Sequence, residues 1–191
     1  MPYLQPATNN IFGLQPANGP QGRTNLYAVS ATEAVAILPG DALVWSSVAT
    51  VRAAVTADLS TVNAFAGVAA DALSTASFAA ATLNLLVYDD PQQVYAVAVT
   101  TSLGMTITDY GKAFNILTSS TGTGIPSTAV GRSKHAMFAL ASSLVSYLKM
   151  VSLHPIEALG PSGFVVTTSV GKPQKYLVMP NVAANNVAIT T

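Results

Sequence analysis

The 191-residue chain contains no cysteine, which excludes disulfide scaffolds, zinc ribbons and thiol catalysis together. Charge is also scarce. Asp, Glu, Lys and Arg make up 8% of the residues, against about 25% in ordinary soluble domains. Eight acidic and eight basic residues balance to a formal net charge of zero. Scattered Lys and Arg in a neutral chain offer no electrostatic footprint for nucleic acid or an anionic membrane. No apolar run approaches the ~18 residues of a membrane span. The start, Met1-Pro2-Tyr3-Leu4-Gln5-Pro6, lacks the basic-then-apolar pattern of a secretory signal. The expectation is a soluble protein that binds neither nucleic acid nor membrane.

Half the residues are hydrophobic, so low charge does not signal disorder. A chain of this length buries roughly 70% of the surface its unfolded form exposes and needs neither disulfides nor metal to fold. Near-zero net charge favours association. Ser, Thr, Asn and Gln supply part of a polar surface, and much of the remainder is expected to be covered by other protein.

Two units are expected along the chain. Residues 1–26 carry Pro2, Pro6, Pro16 and Pro20 among Asn9-Asn10, Gly13, Asn18-Gly19 and Gly22, a pattern that sustains neither helix nor central strand. The same segment holds Tyr3, Leu4, Ile11, Phe12 and Leu14. Large apolar groups on a segment without its own core predict an extended N-terminal arm laid across a partner, with these five residues as anchors. A leader without fixed structure is the alternative, although such tails are usually poorer in large apolar groups.

Residues 27–191 predict an all-β body, a barrel or a sandwich. Val35-Ala36-Ile37-Leu38 meets the turn signal Pro39-Gly40-Asp41 and continues as Ala42-Leu43-Val44-Trp45, with Trp45 as a core anchor. A strand is expected around 62–69 and one short helix within the Ala-rich 70–82. Leu83–Tyr88 and Val94–Val99 are β-prone runs separated by Asp89-Asp90-Pro91 and two glutamines, which predicts a hairpin. In the second run Tyr95, Val97 and Val99 are expected opposite Ala96 and Ala98. Short β segments are expected on either side of Tyr110-Gly111-Lys112, a loop over 118–134, strands within 136–153, another at Phe164–Thr168, and a last one at Lys175–Met179.

No constellation carries catalysis. His135 and His154 have no partner at metal-ligand spacing and are read as exposed or hydrogen-bonded at strand ends. Asp89-Asp90 is the sole carboxylate pair; ahead of a proline it is ordinary turn chemistry, and no calcium-loop pattern surrounds it. Gly131-Arg132-Ser133-Lys134-His135 lacks the second glycine of a nucleophile elbow. Thr121-Gly122-Thr123-Gly124 lacks the Gly-Lys-Ser/Thr ending of a phosphate loop. The expectation is no catalytic residue, no metal site and no cofactor.

Phe65-Ala66-Gly67-Val68-Ala69-Ala70, Leu85-Leu86-Val87-Tyr88-Asp89-Asp90-Pro91-Gln92-Gln93-Val94-Tyr95, the stretch from Arg132-Ser133 through His154-Pro155, and Lys175-Tyr176-Leu177-Val178-Met179-Pro180-Asn181 together resemble the capsid cement (head decoration) proteins of tailed bacteriophages. The resemblance covers residues 60–181. It implies a β-barrel or β-sandwich body on the outer surface of the virion capsid, made in the bacterial cytoplasm. It further implies a homo-oligomer, often a trimer, bound to the major capsid protein lattice where coat subunits meet. A virion-surface adhesive or carbohydrate-binding β module is the alternative, for which Tyr27, Tyr110 and Tyr147 could serve as contacts.

Overall fold

The computed structural model describes residues 13–17, 23–29, 36–46, 49–54, 65–73, 83–98, 110–117, 133, 135–140, 148–153 and 175–180. Eleven strands run through them: β1 (Gln15–Pro16), β2 (Thr24–Val29), β3 (Ala42–Trp45), β4 (Thr50–Ala53), β5 (Phe65–Ala69), β6 (Leu83–Tyr88), β7 (Tyr95–Ala98), β8 (Ala113–Leu117), β9 (Ala136–Leu140), β10 (Leu148–Leu153) and β11 (Lys175–Pro180). There is no helix among the described residues. Residues 70–73 of the expected helical stretch are not helical, and 74–82 lie outside the described residues. So do the expected strands before Tyr110 and at Phe164–Thr168, and the loop over 118–132.

Five strands close into a barrel in the order β2-β4-β3-β5-β6, and the other six form a sheet ordered β1-β7-β11-β10-β8-β9. Barrel pairs are antiparallel except β2 with β4. Alternation along each strand sets the barrel interior. Val29, Leu43, Val51, Ala53, Ala66, Ala69, Leu85 and Val87, drawn from all five strands, fill it together with Ile37. Ile37 enters through a two-way backbone bridge to Leu73.

A second core lies between the barrel wall and the sheet. Ala42 and Val44 of β3 with Phe65 and Val68 of β5 meet Tyr95, Val97, Leu148, Tyr176 and Val178 of the sheet. Strands β3 and β5 are therefore covered on both faces, which explains why both read as near-continuous apolar runs. On β7 Tyr95 and Val97 share the second core, and Ala96 between them is buried as well; Val99 lies outside the described residues.

Serving two cores from β5 depends on Gly67. Leu43 pairs with Gly67 and Val44 with Phe65, a register shift that leaves one extra residue in β5. This bulge resets the alternation, so Phe65 and Val68 face the sheet while Ala66 and Ala69 face the barrel interior. Gly67 has φ +149°, and a Cβ there would lie 2.5 Å from the Tyr88 carbonyl oxygen and 2.6 Å from Val87 Cγ1.

Two expectations are corrected. The β6–β7 hairpin does not form: both edges of β6 are taken, by β2 and β5, and β7 pairs with β1 and β11 instead. A strand inside a closed barrel has no edge left for its sequence neighbour. Asp90-Pro91-Gln92-Gln93 is still a turn, closed by Gln93 N–H to the Asp90 carbonyl at 3.1 Å, but it carries the chain from the barrel to the sheet. The arm also ends earlier than residue 26. Leu14 is 1% exposed within the second core, Gln15 and Pro16 pair with Ala96 and Tyr95, and β2 starts at Thr24. Pro16 is tolerated because β1 is an edge strand.

Two substitutions test this arrangement. Gly67→Ala is expected to lose about 1–3 kcal/mol from backbone conformation, with a further loss from the clash at Tyr88. Leu14→Ala is expected to lose about 2–5 kcal/mol. Urea titration of each variant measures both, and a wild-type midpoint for Leu14→Ala would show that the 13–17 segment is not part of the folded body.

Candidate functional site

Two clusters of polar side chains stand out, one at an end of the barrel and one at its junction with the sheet. The first is centred on Asp89. Parity along β6 directs Leu85 and Val87 inward and continues to Asp89 just past the strand end. On β2, which pairs with β6 over six residues, Val29 and Tyr27 continue to Asn25 and Arg23 by the same alternation. The apolar interior thus gives way to a polar end. Asp89 Oδ1 accepts from Arg23 Nε at 3.0 Å, and Oδ2 accepts from Arg23 at 3.2 Å, Asn25 Nδ2 at 2.7 Å and Tyr27 Oη at 2.6 Å.

The Asp89 side chain keeps 4% of its accessible surface and that of Arg23 keeps 64%. An exposed guanidinium contributes little as a surface ion pair, so the shorter bonds from Tyr27 and Asn25 matter more. Burial pushes the Asp89 carboxyl up, but the bonds from Arg23, Tyr27 and Asn25 together outweigh it and hold the group below its ordinary range. Burial first, then the bond to Asp89, pushes the Tyr27 phenol up to about 12, so it stays a donor. Its ring meets Trp45 edge-on, with centroids 5.3 Å apart. Trp45 is half-buried and packs against the barrel core.

Asp90 behaves as the turn reading expects, its Oδ1 accepting the Gln92 N–H at 2.8 Å. Asp89 does not, because its carboxylate is spent on β2. Phe65, Gly67, Tyr88, Asp89, Asp90 and Pro180 border a cavity of about 50 Å³, room for a water or two and far below the roughly 300–1,000 Å³ of metabolite sites.

The second cluster joins residues far apart in the chain. His135, just ahead of β9, accepts the Ala42 N–H at Nδ1 at 2.8 Å across 93 positions of sequence. Its Nε2 faces Asp41 Oδ1 at 3.6 Å. Asp41 Oδ2 accepts the Leu38 N–H at 2.8 Å, and Asp41 N–H returns to the Leu38 carbonyl at 2.9 Å, closing the turn expected at Pro39-Gly40. Ser133 Oγ accepts the His135 backbone N–H at 3.2 Å. Ser133, His135 and Asp41 are all buried.

Serine, histidine and aspartate in one place invite comparison with a hydrolase triad, and the geometry differs. A triad needs one ring nitrogen on the hydroxyl and the other on the carboxylate. Here the ring nitrogens face Ala42 and Asp41, and the serine is engaged by the backbone. The His135 ring is thus a hydrogen-bonded group at a strand start, as the sequence suggests. Its partners are not legible there, and neither is its burial.

The sequence-derived partner anchors divide. Leu14 sits in the chain's own core and does not serve as a partner anchor; Tyr3, Leu4, Ile11 and Phe12 lie outside the described residues, as do His154 and Tyr147. Tyr27 is engaged with Asp89, while Tyr110 is 39% exposed. Among the described residues no three His, Asp or Glu side chains are grouped as metal ligands. The exposed large apolar groups include Leu26 at 69% and Leu86 at 37%, which pair directly across β2 and β6 on the outer barrel wall.

Asp89→Asn is expected to cost about 1.5–3 kcal/mol, the range for hydrogen bonds to a charged group. Because the folded carboxyl titrates below its ordinary value, its stabilisation is present above about pH 4 and is lost as pH falls through the folded value. Thermal melts from pH 7 to pH 2 should therefore show an acid limb below about pH 4 in the wild type that is shallower in Asp89→Asn.

Compared with known proteins, the chain matches no protein family, and no curated protein or solved structure shows significant similarity to it.

Proposed function

We propose that this chain is a non-enzymatic structural protein of a bacteriophage head, binding the outside of the assembled capsid as a homo-oligomer, a trimer in the simplest case, and stabilising the joints between coat subunits. The observation that carries the reading is an uncovered apolar pair, Leu26 and Leu86, on the wall of a closed barrel, in a chain with 8% charged residues. A large apolar side chain left exposed where few charges surround it favours contact with another protein surface. The motif resemblance of residues 60–181 supports the same reading, as does a polar chemistry absorbed into internal bonds at both clusters.

The mechanism follows from linkage. A protein that binds the assembled shell and not separated coat subunits stabilises the shell by its binding free energy. An oligomer engages several subunits at once, each later contact forming at high effective concentration. Tyr3, Leu4, Ile11 and Phe12 add a second contact from the N-terminal segment.

Co-sedimentation with intact heads and with free coat subunits tests the reading, alongside light scattering for the oligomer. Full-length protein is expected to pellet with heads only. Leu26→Ser and a deletion of residues 1–12, which spares Leu14 and β1, should each weaken that binding at least tenfold, about 1.4 kcal/mol. Binding to glycans without binding to heads would instead support an adhesive module.

A further inference from the structure

Three parts of the fold meet at His135. Leu14 N–H bonds the Gly40 carbonyl at 2.9 Å, and Gly13 packs so closely that a Cβ would collide with Ser133 and lie 2.5 Å from the Gly40 oxygen. Asp41 and Ala42 lead into β3 of the barrel, and His135 leads into β9 of the sheet. We propose that this junction is an acid-released latch: protonation of His135 breaks its bond to Ala42 and frees the entry to β9 from β3 of the barrel, which itself stays closed.

A neutral imidazole has one donor and one acceptor nitrogen, and a protonated one has two donors. Nδ1 accepts the Ala42 N–H, so the ring's single proton is on Nε2, toward Asp41. A second proton must go on Nδ1, where it faces another donor, and the bond is lost. The ring is 5% exposed, so the charge is also taken out of water. Asp41 is the charged group that faces the ring among the described residues; Ala42, Ser133 and the Gly13–Leu14 segment bring none. At 3.6 Å its Oδ1 lies beyond a hydrogen bond, and the other oxygen is held by Leu38. Burial pushes His135 down and outweighs the opposing pull of Asp41.

The sign follows. The opened junction exposes a histidine with an ordinary value near 6.5, so below that pH the open form takes up a proton that the closed form does not. The latch is fully closed above about pH 6.5, and its opening constant rises by up to tenfold per pH unit below it. Opening is local because β3 keeps its other ties: the Ala42 carbonyl accepts the Ala54 N–H at 2.9 Å, and the six-pair β2–β6 ladder does not touch the imidazole. This window lies above the acid limb of Asp89. The inference does not depend on the head-protein reading.

Amide hydrogen exchange on the full-length labelled protein between pH 7.5 and pH 5, corrected for intrinsic exchange, reads the latch directly. Protection at Ala42 is expected to fall below pH 6.5, by up to tenfold per unit, while β2 and β6 amides hold theirs. His135→Asn, which retains an acceptor near the Nδ1 position but does not titrate, should flatten that dependence. Protection at Ala42 that is flat to pH 5 in the wild type overturns the proposal, as does loss in parallel with the β2 and β6 amides. If His135→Asn does not fold, the ¹⁵N shifts of the wild-type ring decide: titration at 6.5 with Ala42 still protected also sinks it.

Discussion

Strands β3 and β5 each bury both faces, and the rest of the structure is arranged around that constraint. One face completes the barrel interior with β2, β4 and β6. The other presents Ala42, Val44, Phe65 and Val68 to the sheet. Two cores sharing one wall give a chain with few charges a large apolar interior, and hydrophobic burial is the dominant favourable term in folding. It also makes the wall intolerant: a side chain that outgrows its place on β3 or β5 disturbs both cores, because interiors are packed as densely as organic crystals.

Closure of the barrel then dictates the path of the chain. With both edges of β6 occupied, the segment after Tyr88 has to leave, and the Asp89 network and the Asp90-Pro91 turn define how it does so. Asp89 is held to β2 by three side chains at alternate positions, while Tyr95, two residues after the turn, is buried between barrel and sheet and donates to the Tyr88 carbonyl at 3.3 Å. One short connection thus finishes the barrel and begins the second core. The His135 junction repeats the principle at the start of β3, where a buried ring satisfies the first N–H of a barrel strand from outside the barrel. Buried backbone donors need partners, and here the partner comes from 93 residues away.

The polar clusters change what the few ionisable residues of this chain mean. The acidic pair at 89 and 90 splits into a structural carboxylate and a turn former. Ser133, His135 and Asp41 share a buried space without the contacts of a triad. On the outer barrel wall Leu26 lies opposite Leu86, an apolar pair exposed to solvent beside the polar Thr24 and Asn84.

By itself the sequence determined the β class, most strand positions and the turns, because these follow from local chemistry: β-branched and aromatic runs at 42–45, 65–69, 83–88 and 175–179, and Pro, Gly and Asp between them. An alert reading of alternation could also have linked Arg23, Asn25 and Tyr27 as one face of a strand, and Asp89 as the next step after Leu85 and Val87. Tertiary structure alone decided which strands pair, and so replaced the expected 83–99 hairpin with a corner, since no local pattern records that both edges of β6 are occupied. It decided that Leu14 belongs to the body, because a leucine in a Pro- and Gly-rich segment looks the same whether its pocket lies in its own chain or a partner's. It decided the role of His135 for the same reason: burial and bonds between residues far apart in the chain exist only once the chain has closed on itself.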